Sequence, residues 1–193
     1  MECLAKKLVL RMEKYSLVSP DQSENYTYVL QLKLESLVTF LCLLLLSYFF
    51  RVVIPTIFFM FAVSALKKRC GGLHANTFFQ CLNSTIIIYT VFVKWLLRFM
   101  LGDMRLTTII FFSAFLIVEA IGAINHPNMN WNRKEFIQSK EIARMTAFIE
   151  TLIIMLLLWL RADQTVIVFL MFAMMLSAFL LILAKIFKEE VYL

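Results

Sequence analysis

Ser47-Tyr48-Phe49-Phe50-Arg51-Val52-Val53-Ile54-Pro55 is the stretch whose reading decides the fold. It separates two apolar runs, 37–50 and 52–66, each short against the roughly 20 residues that carry a helix across about 30 Å of hydrocarbon. An arginine between them, with a proline close behind, allows either one long helix kinked near Pro55 or a helical hairpin turning at Arg51. The hairpin is the expected arrangement. Its first helix reaches spanning length if it begins near Tyr28, with Lys33 and Glu35 extended to the interface.

Four further apolar runs follow, at 78–97, 106–124, 142–160 and 165–184, each long enough to cross. Across 193 residues, 62% are hydrophobic and 17% charged, and the mean hydropathy is +0.83, far from the usage of a water-soluble domain. These runs predict an all-α integral membrane protein of about six transmembrane helices preceded by an amphipathic N-terminal helix. No repeat or low-complexity tract divides it. The expectation is one polytopic domain over 1–193, with a surface segment at 1–27 and a transmembrane bundle at 28–187. In the surface segment Leu4, Leu8, Met12 and Tyr15 recur at helical spacing opposite Lys7, Arg11 and Lys14, as in a helix lying on lipid, with Ser19-Pro20-Asp21 ending it. No cleavable secretory signal is expected, because Lys6, Lys7 and Arg11 interrupt the apolar residues.

Six spans with both termini inside place fourteen of the nineteen Lys and Arg residues on the cytoplasmic side, leaving Arg51, Lys94, Arg98, Arg105 and Arg161 outside. That bias is the one expected of cytoplasmic flanks. It puts Lys67-Lys68-Arg69-Cys70-Gly71-Gly72-Leu73-His74, and Cys81 beyond it, at the cytoplasmic face, where thiols stay reduced. Cys3, Cys42, Cys70 and Cys81 are therefore not read as a disulfide framework.

A thiol with an imidazole in reach is the minimal machinery of cysteine catalysis. His74 and Cys81 are seven residues apart, which on one unbroken helix would hold them about 10 Å apart along the axis, too far to touch. Catalysis therefore requires His74 in a loop or turn, folding back toward a Cys81 held in the first turns of the next helix. Gly71-Gly72 would make that fold cheap, and Asn76 is a candidate N-cap. An inert pair is the bland alternative. Cys70, His74 and Cys81 could also supply three zinc ligands, but no fourth ligand stands in the segment, and no metal or cofactor is expected.

Glu119 and Glu150 fall in or near apolar runs, where a carboxylate is costly and usually faces the bundle interior or a wet cavity. Each could orient His74, line a substrate path or pair with Arg144. His126, in Asn125-His126-Pro127-Asn128, reads as a polar residue ending a helix. Trp95, Trp131 and Trp159 read as interfacial anchors.

The run of basic residues before Gly71-Gly72-Leu73-His74-Ala75, with Cys81 seven residues beyond the histidine, resembles the active-site signature of the accessory gene regulator protein B family (AgrB), membrane cysteine peptidases of bacterial peptide quorum sensing. The size, the multi-span layout, the amphipathic start and the Ala123-Ile124-Asn125-His126-Pro127-Asn128 turn before a basic loop are similar too. Ile124 departs from the pattern, since many relatives carry proline there. The resemblance implies a cell-membrane endopeptidase with its active site in the cytoplasm. It would cut the acidic tail from an AgrD-type propeptide through a Cys81 acyl-enzyme, with His74 as base, and promote thiolactone or lactone closure. Lys67, Lys68, Arg69, Gly71, Gly72, Glu119, Arg133 and Lys134 are the candidate substrate-binding residues. The expected partners are the propeptide, membrane lipid and a second copy in a homodimer, with no nucleic acid. A small transporter or channel is the competing reading; Glu119, Glu150 and Lys94 would then be pathway charges.

Overall fold

A computed structural model describes residues 2–15, 17–19, 22–70, 77–125 and 132–187. The described chain is helical: α1 (Glu2–Lys14), α2 (Ser23–Phe50), α3 (Val53–Cys70), α4 (Phe78–Val91), a π-helical turn (Phe92–Leu96), α5 (Leu97–Gly102), α6 (Met104–Ile121), α7 (Arg133–Trp159) and α8 (Gln164–Ile186). Among the described residues five helices are long and apolar enough to cross a bilayer: α2, the continuous Phe78–Gly102 rod formed by α4, the π turn and α5, then α6, α7 and α8. This is an all-α, multi-pass membrane protein.

The chain turns at Arg51. Its φ of 60° is left-handed, its N–H donates to the Tyr48 carbonyl at 3.1 Å, and the Val52 N–H reaches back to the Ser47 carbonyl at 2.9 Å. That is a Schellman stop, and α3 starts afresh at Val53 with Pro55 in its first turn, where no N–H is needed. α2 and α3 are therefore two separate helices and not one kinked helix. α2 begins at Ser23, earlier than Tyr28. α3 is 18 residues long, but Lys67, Lys68 and Arg69 occupy its last turn. Its uncharged stretch is thus about 21 Å long at 1.5 Å per residue, which makes it a short sixth helix whose basic stems must extend to the interface.

The chain forms two compact units, 1–46 and 47–193. In the first, Ala5 and Val9 of α1 are buried, while Leu4, Leu8 and Tyr15 are exposed. The stripe expected to face away from the basic residues is thus the uncovered one. α1 stops at Lys14, before the expected Ser19-Pro20-Asp21.

The second unit is built around α8, where Ile167 to Met174, Ser177, Ala178, Leu181 and Ala184 are buried. A helix that is apolar all round belongs in the middle, and α3, α6 and α7 pack on it. Five rings close the centre: Phe92 stacks on Phe172 at 3.8 Å, Phe169 meets Phe92 edge-on at 4.8 Å, and Phe59 and Tyr89 complete the group. The Thr56 hydroxyl donates to the Val52 carbonyl at 2.7 Å, so the Tyr89 hydroxyl, 2.6 Å away, is the donor of the pair they form. α7 approaches closely because its buried face carries Ser139, Ala143, Ala147 and Thr151 at four-residue steps.

Candidate functional site

α3 ends at Cys70, with Lys68 and Arg69 exposed, Lys67 half-buried and Cys70 itself 2% exposed. The Cys70 carbonyl accepts the Ile124 N–H at 2.9 Å. That bond ties the end of α3 to the buried segment that follows α6: Gly122, Ala123, Ile124 and Asn125. A proline at position 124, the residue carried by many sequences of the resembled family, could not donate it. The bond therefore brings together the two chain points that lead into Gly71-Gly72-Leu73-His74 and into His126.

α6 ends on the same side, and α7 caps it. Arg144 Nε donates to the Glu119 carbonyl at 2.7 Å and its Nη2 to the Ala120 carbonyl at 3.3 Å. The side chain of Lys140 lies over Gly122, so close that a Cβ there would fall 2.4 Å from Lys140 Cγ. Gly122 has φ of 74°, the left-handed residue after a helix that glycine adopts most readily. The Arg144 guanidinium thus meets the negative end of α6, while the stem of Lys140, one helical turn away, packs over Gly122. Arg144 therefore binds the backbone of Glu119 rather than its carboxylate. Glu119 Oε1 and both Glu150 carboxylate oxygens are buried without a hydrogen-bond partner.

α4 opens after Thr77, whose extended backbone and side-chain oxygen, 3.4 Å from the Gln80 nitrogen, make it the N-cap. The cap falls one residue later than Asn76. Cys81 is the fourth residue of α4; its N–H bonds the Thr77 carbonyl at 3.1 Å and its carbonyl takes the Thr85 hydroxyl at 2.8 Å. Its thiol is free and half-exposed. His74 precedes the cap, so α4 does not carry both members of the pair. Gly71, Gly72, His74, Asn76, His126 and Trp131 lie outside the described residues. Among the described residues no three His, Cys, Asp or Glu side chains gather as a metal site.

Arg133 and Lys134 are exposed in the first turn of α7, which Asn132 and Glu135 close with a reciprocal capping box at 2.9 Å each way. Cations at a helix N-terminus oppose its dipole, so helix stability does not explain them. Lys67, Lys68 and Arg69 sit at a helix C-terminus, where the dipole favours them. Sequence reasoning missed Lys140 and the structural role of Arg144; their spacing from each other was visible, but nothing local indicated that α6 would end beneath them.

No curated protein and no solved structure matches the chain significantly. The pattern of the family described as Accessory gene regulator B matches residues 2–186, nearly the whole length. Taken with a helical membrane bundle that presents a free thiol in the first turn of α4, this match shows that the chain belongs to the accessory gene regulator B (AgrB) family and shares its role in processing quorum-sensing peptides.

Proposed function

We propose that the chain is a membrane-embedded cysteine endopeptidase that removes the C-terminal tail of an AgrD-type propeptide and promotes ring closure of the remaining peptide. The observation that carries this reading is the placement of Cys81: a half-exposed, free thiol in the first turn of a helix whose cap, Thr77, stands between it and His74. That break removes the geometric objection that one continuous helix would raise.

In this reading His74 takes the thiol proton and the Cys81 sulfur attacks the carbonyl joining core to tail. The first-turn N–H groups of Phe78 and Phe79, which no intrahelical carbonyl can reach, are available to the oxyanion. Collapse of the tetrahedral adduct breaks the C–N bond, the imidazolium protonates the departing amine, and a thioester on Cys81 remains. A cysteine or serine inside the core then attacks the thioester, closing a thiolactone or lactone ring and returning the Cys81 thiol. Water must be kept out for cyclisation to win over hydrolysis. The acidic tail is held by Arg133 and Lys134, with Lys67, Lys68 and Arg69 contributing to the same basic face. The site and both termini face the cytoplasm, and the working unit is a homodimer.

Intact-protein mass spectrometry after brief mixing with propeptide tests this. The wild type should carry the core as a hydroxylamine-labile adduct on Cys81, and His74→Ala should not accumulate it. Cleavage by Cys81→Ala, or an adduct mapped to another residue, would overturn the assignment.

A further inference from the structure

The bundle end opposite Cys81 carries the turns α2–α3, α5–α6 and α7–α8. Two of them are built alike. At Arg161, φ is 54°, its N–H donates to the Leu158 carbonyl at 3.2 Å and the Ala162 N–H to the Leu157 carbonyl at 3.0 Å, repeating the Arg51 stop. Glycine makes this turn without the roughly 1–2 kcal/mol that a side chain costs in the left-handed region. The turn itself therefore does not call for arginine at either place.

Between these turns opens a recess of about 510 Å³, lined by Tyr48, Arg51, Ile54, Pro55, Asp163 and Val166, among others. That is the size of a small-molecule site. Arg51, Lys94, Arg98, Arg105 and Arg161 cluster at this end against Asp103 and Asp163. Both aspartates serve as N-caps, accepting from Leu106 N at 3.0 Å and Thr165 N at 2.7 Å. Asp163 is the one acid in the lining, and its carboxylate is engaged by the Thr165 N–H; among the described residues no salt bridge joins it to Arg51, so the guanidinium is left without an ionic partner. Lys94 Nζ stands 6.0 Å from the centre of the ring of Phe50, the residue before Arg51. Tyr48 and Trp159, in the last turns of α2 and α7, and Trp95, in the π turn before α5, are exposed by 71%, 79% and 64%. Exposed aromatic residues of this kind mark the headgroup depth of a bilayer.

We propose that this recess is a binding site for an anionic phospholipid. The Arg51 guanidinium takes the phosphate through its planar fork of donors, the Tyr48 hydroxyl is available to the headgroup, and Ile54, Pro55 and Val166 cover the glycerol and first acyl carbons. A soluble anion would satisfy Arg51 and leave the apolar wall wet; a lipid satisfies both and is supplied at this depth by the membrane itself.

The test uses the full-length protein, delipidated in detergent and titrated with phosphatidylglycerol or phosphatidylcholine, with bound lipid counted by native mass spectrometry and thermal stability read in parallel. Arg51→Gly keeps the left-handed turn with less strain and removes the charge; Arg51→Lys keeps the charge and loses the fork. The wild type should retain phosphatidylglycerol over phosphatidylcholine. Arg51→Gly should bind phosphatidylglycerol roughly tenfold more weakly, as expected for one lost charged hydrogen bond, while its lipid-free Tm stays level or rises. Arg51→Lys should fall between. Equal retention of the two lipids, undiminished binding by Arg51→Gly, or equal protection by inorganic phosphate alone would each overturn the proposal. Peptide cleavage is not read, so the outcome is independent of the peptidase assignment.

Discussion

Cys70 closes α3 and Cys81 sits in the opening turn of α4, and their surroundings are opposite. Cys70 is 2% exposed, and its carbonyl is tied to Ile124 in a packed corner. Cys81 is half-exposed on the helix turn whose free N–H groups favour nearby negative charge. Burial among helices makes a cysteine a small hydrophobe; exposure at a helix start makes it available for chemistry. The sequence places the two thiols on either side of the same Gly-Gly and His74, so only their packing separates them.

The largest test of that difference is paired replacement. Cys81→Ala should reduce propeptide cleavage to background with the fold intact, whereas Cys70→Ala should retain most activity and lose stability through a small cavity. A dead Cys70→Ala with an active Cys81→Ala would reverse the roles. Reactivity should follow the same order. In a background lacking Cys3 and Cys42, maleimide labelling of Cys81 in native membranes should outpace that of Cys70 by more than tenfold, and unfolding should equalise them. Comparable native rates would mean that Cys70 is not shielded.

The corner around Cys70 can be attacked from its other side. Gly122→Ala forces a Cβ into Lys140 at a left-handed φ, so it should lower stability by about 1–3 kcal/mol, read as a drop in Tm. An unchanged Tm would show that Lys140 moves away freely. Ionic steering should give a smaller effect. Neutralising Arg133 and Lys134 together should raise the KM for propeptide several-fold, flatten its salt dependence and leave kcat nearly unchanged, and neutralising Lys67, Lys68 and Arg69 should do the same more weakly. A fall in kcat at constant KM would place these charges in the chemistry instead. Ile124→Pro removes the hydrogen bond to Cys70 and part of a fully buried side chain, so a loss of about 2–4 kcal/mol is expected in denaturant melts, with cleavage largely kept in the folded protein.

Much of this molecule was legible because its information is local. The apolar runs set the spanning helices, and Arg51 beside Pro55 marked the break between α2 and α3. The length of α3 was less legible, because three basic residues extend its backbone helix without extending its apolar surface. The packing of α1 was legible only in part. Periodicity identifies the apolar stripe of Leu4, Leu8 and Tyr15, which the protein leaves uncovered as a lipid-facing stripe requires, but not that Ala5 and Val9 would be buried.

For the candidate site, residue type and spacing singled out Cys81 and the condition it must meet, a break in the helix between it and His74. Thr77 supplies that break one residue from the expected cap, within the range over which neighbouring polar residues compete for one terminus. The burial of Cys70, the capping of α6 by Arg144 beneath the stem of Lys140, and the recess beside Arg51 were decided only by the tertiary structure. Each depends on which helix ends meet: Cys70 with Ile124, Gly122 with Lys140, and the turn at Arg51 with the start of α8. Hydropathy and periodicity act within one helix and fix its ends and faces, whereas these pairings join segments more than ten residues apart through packing that no local pattern encodes.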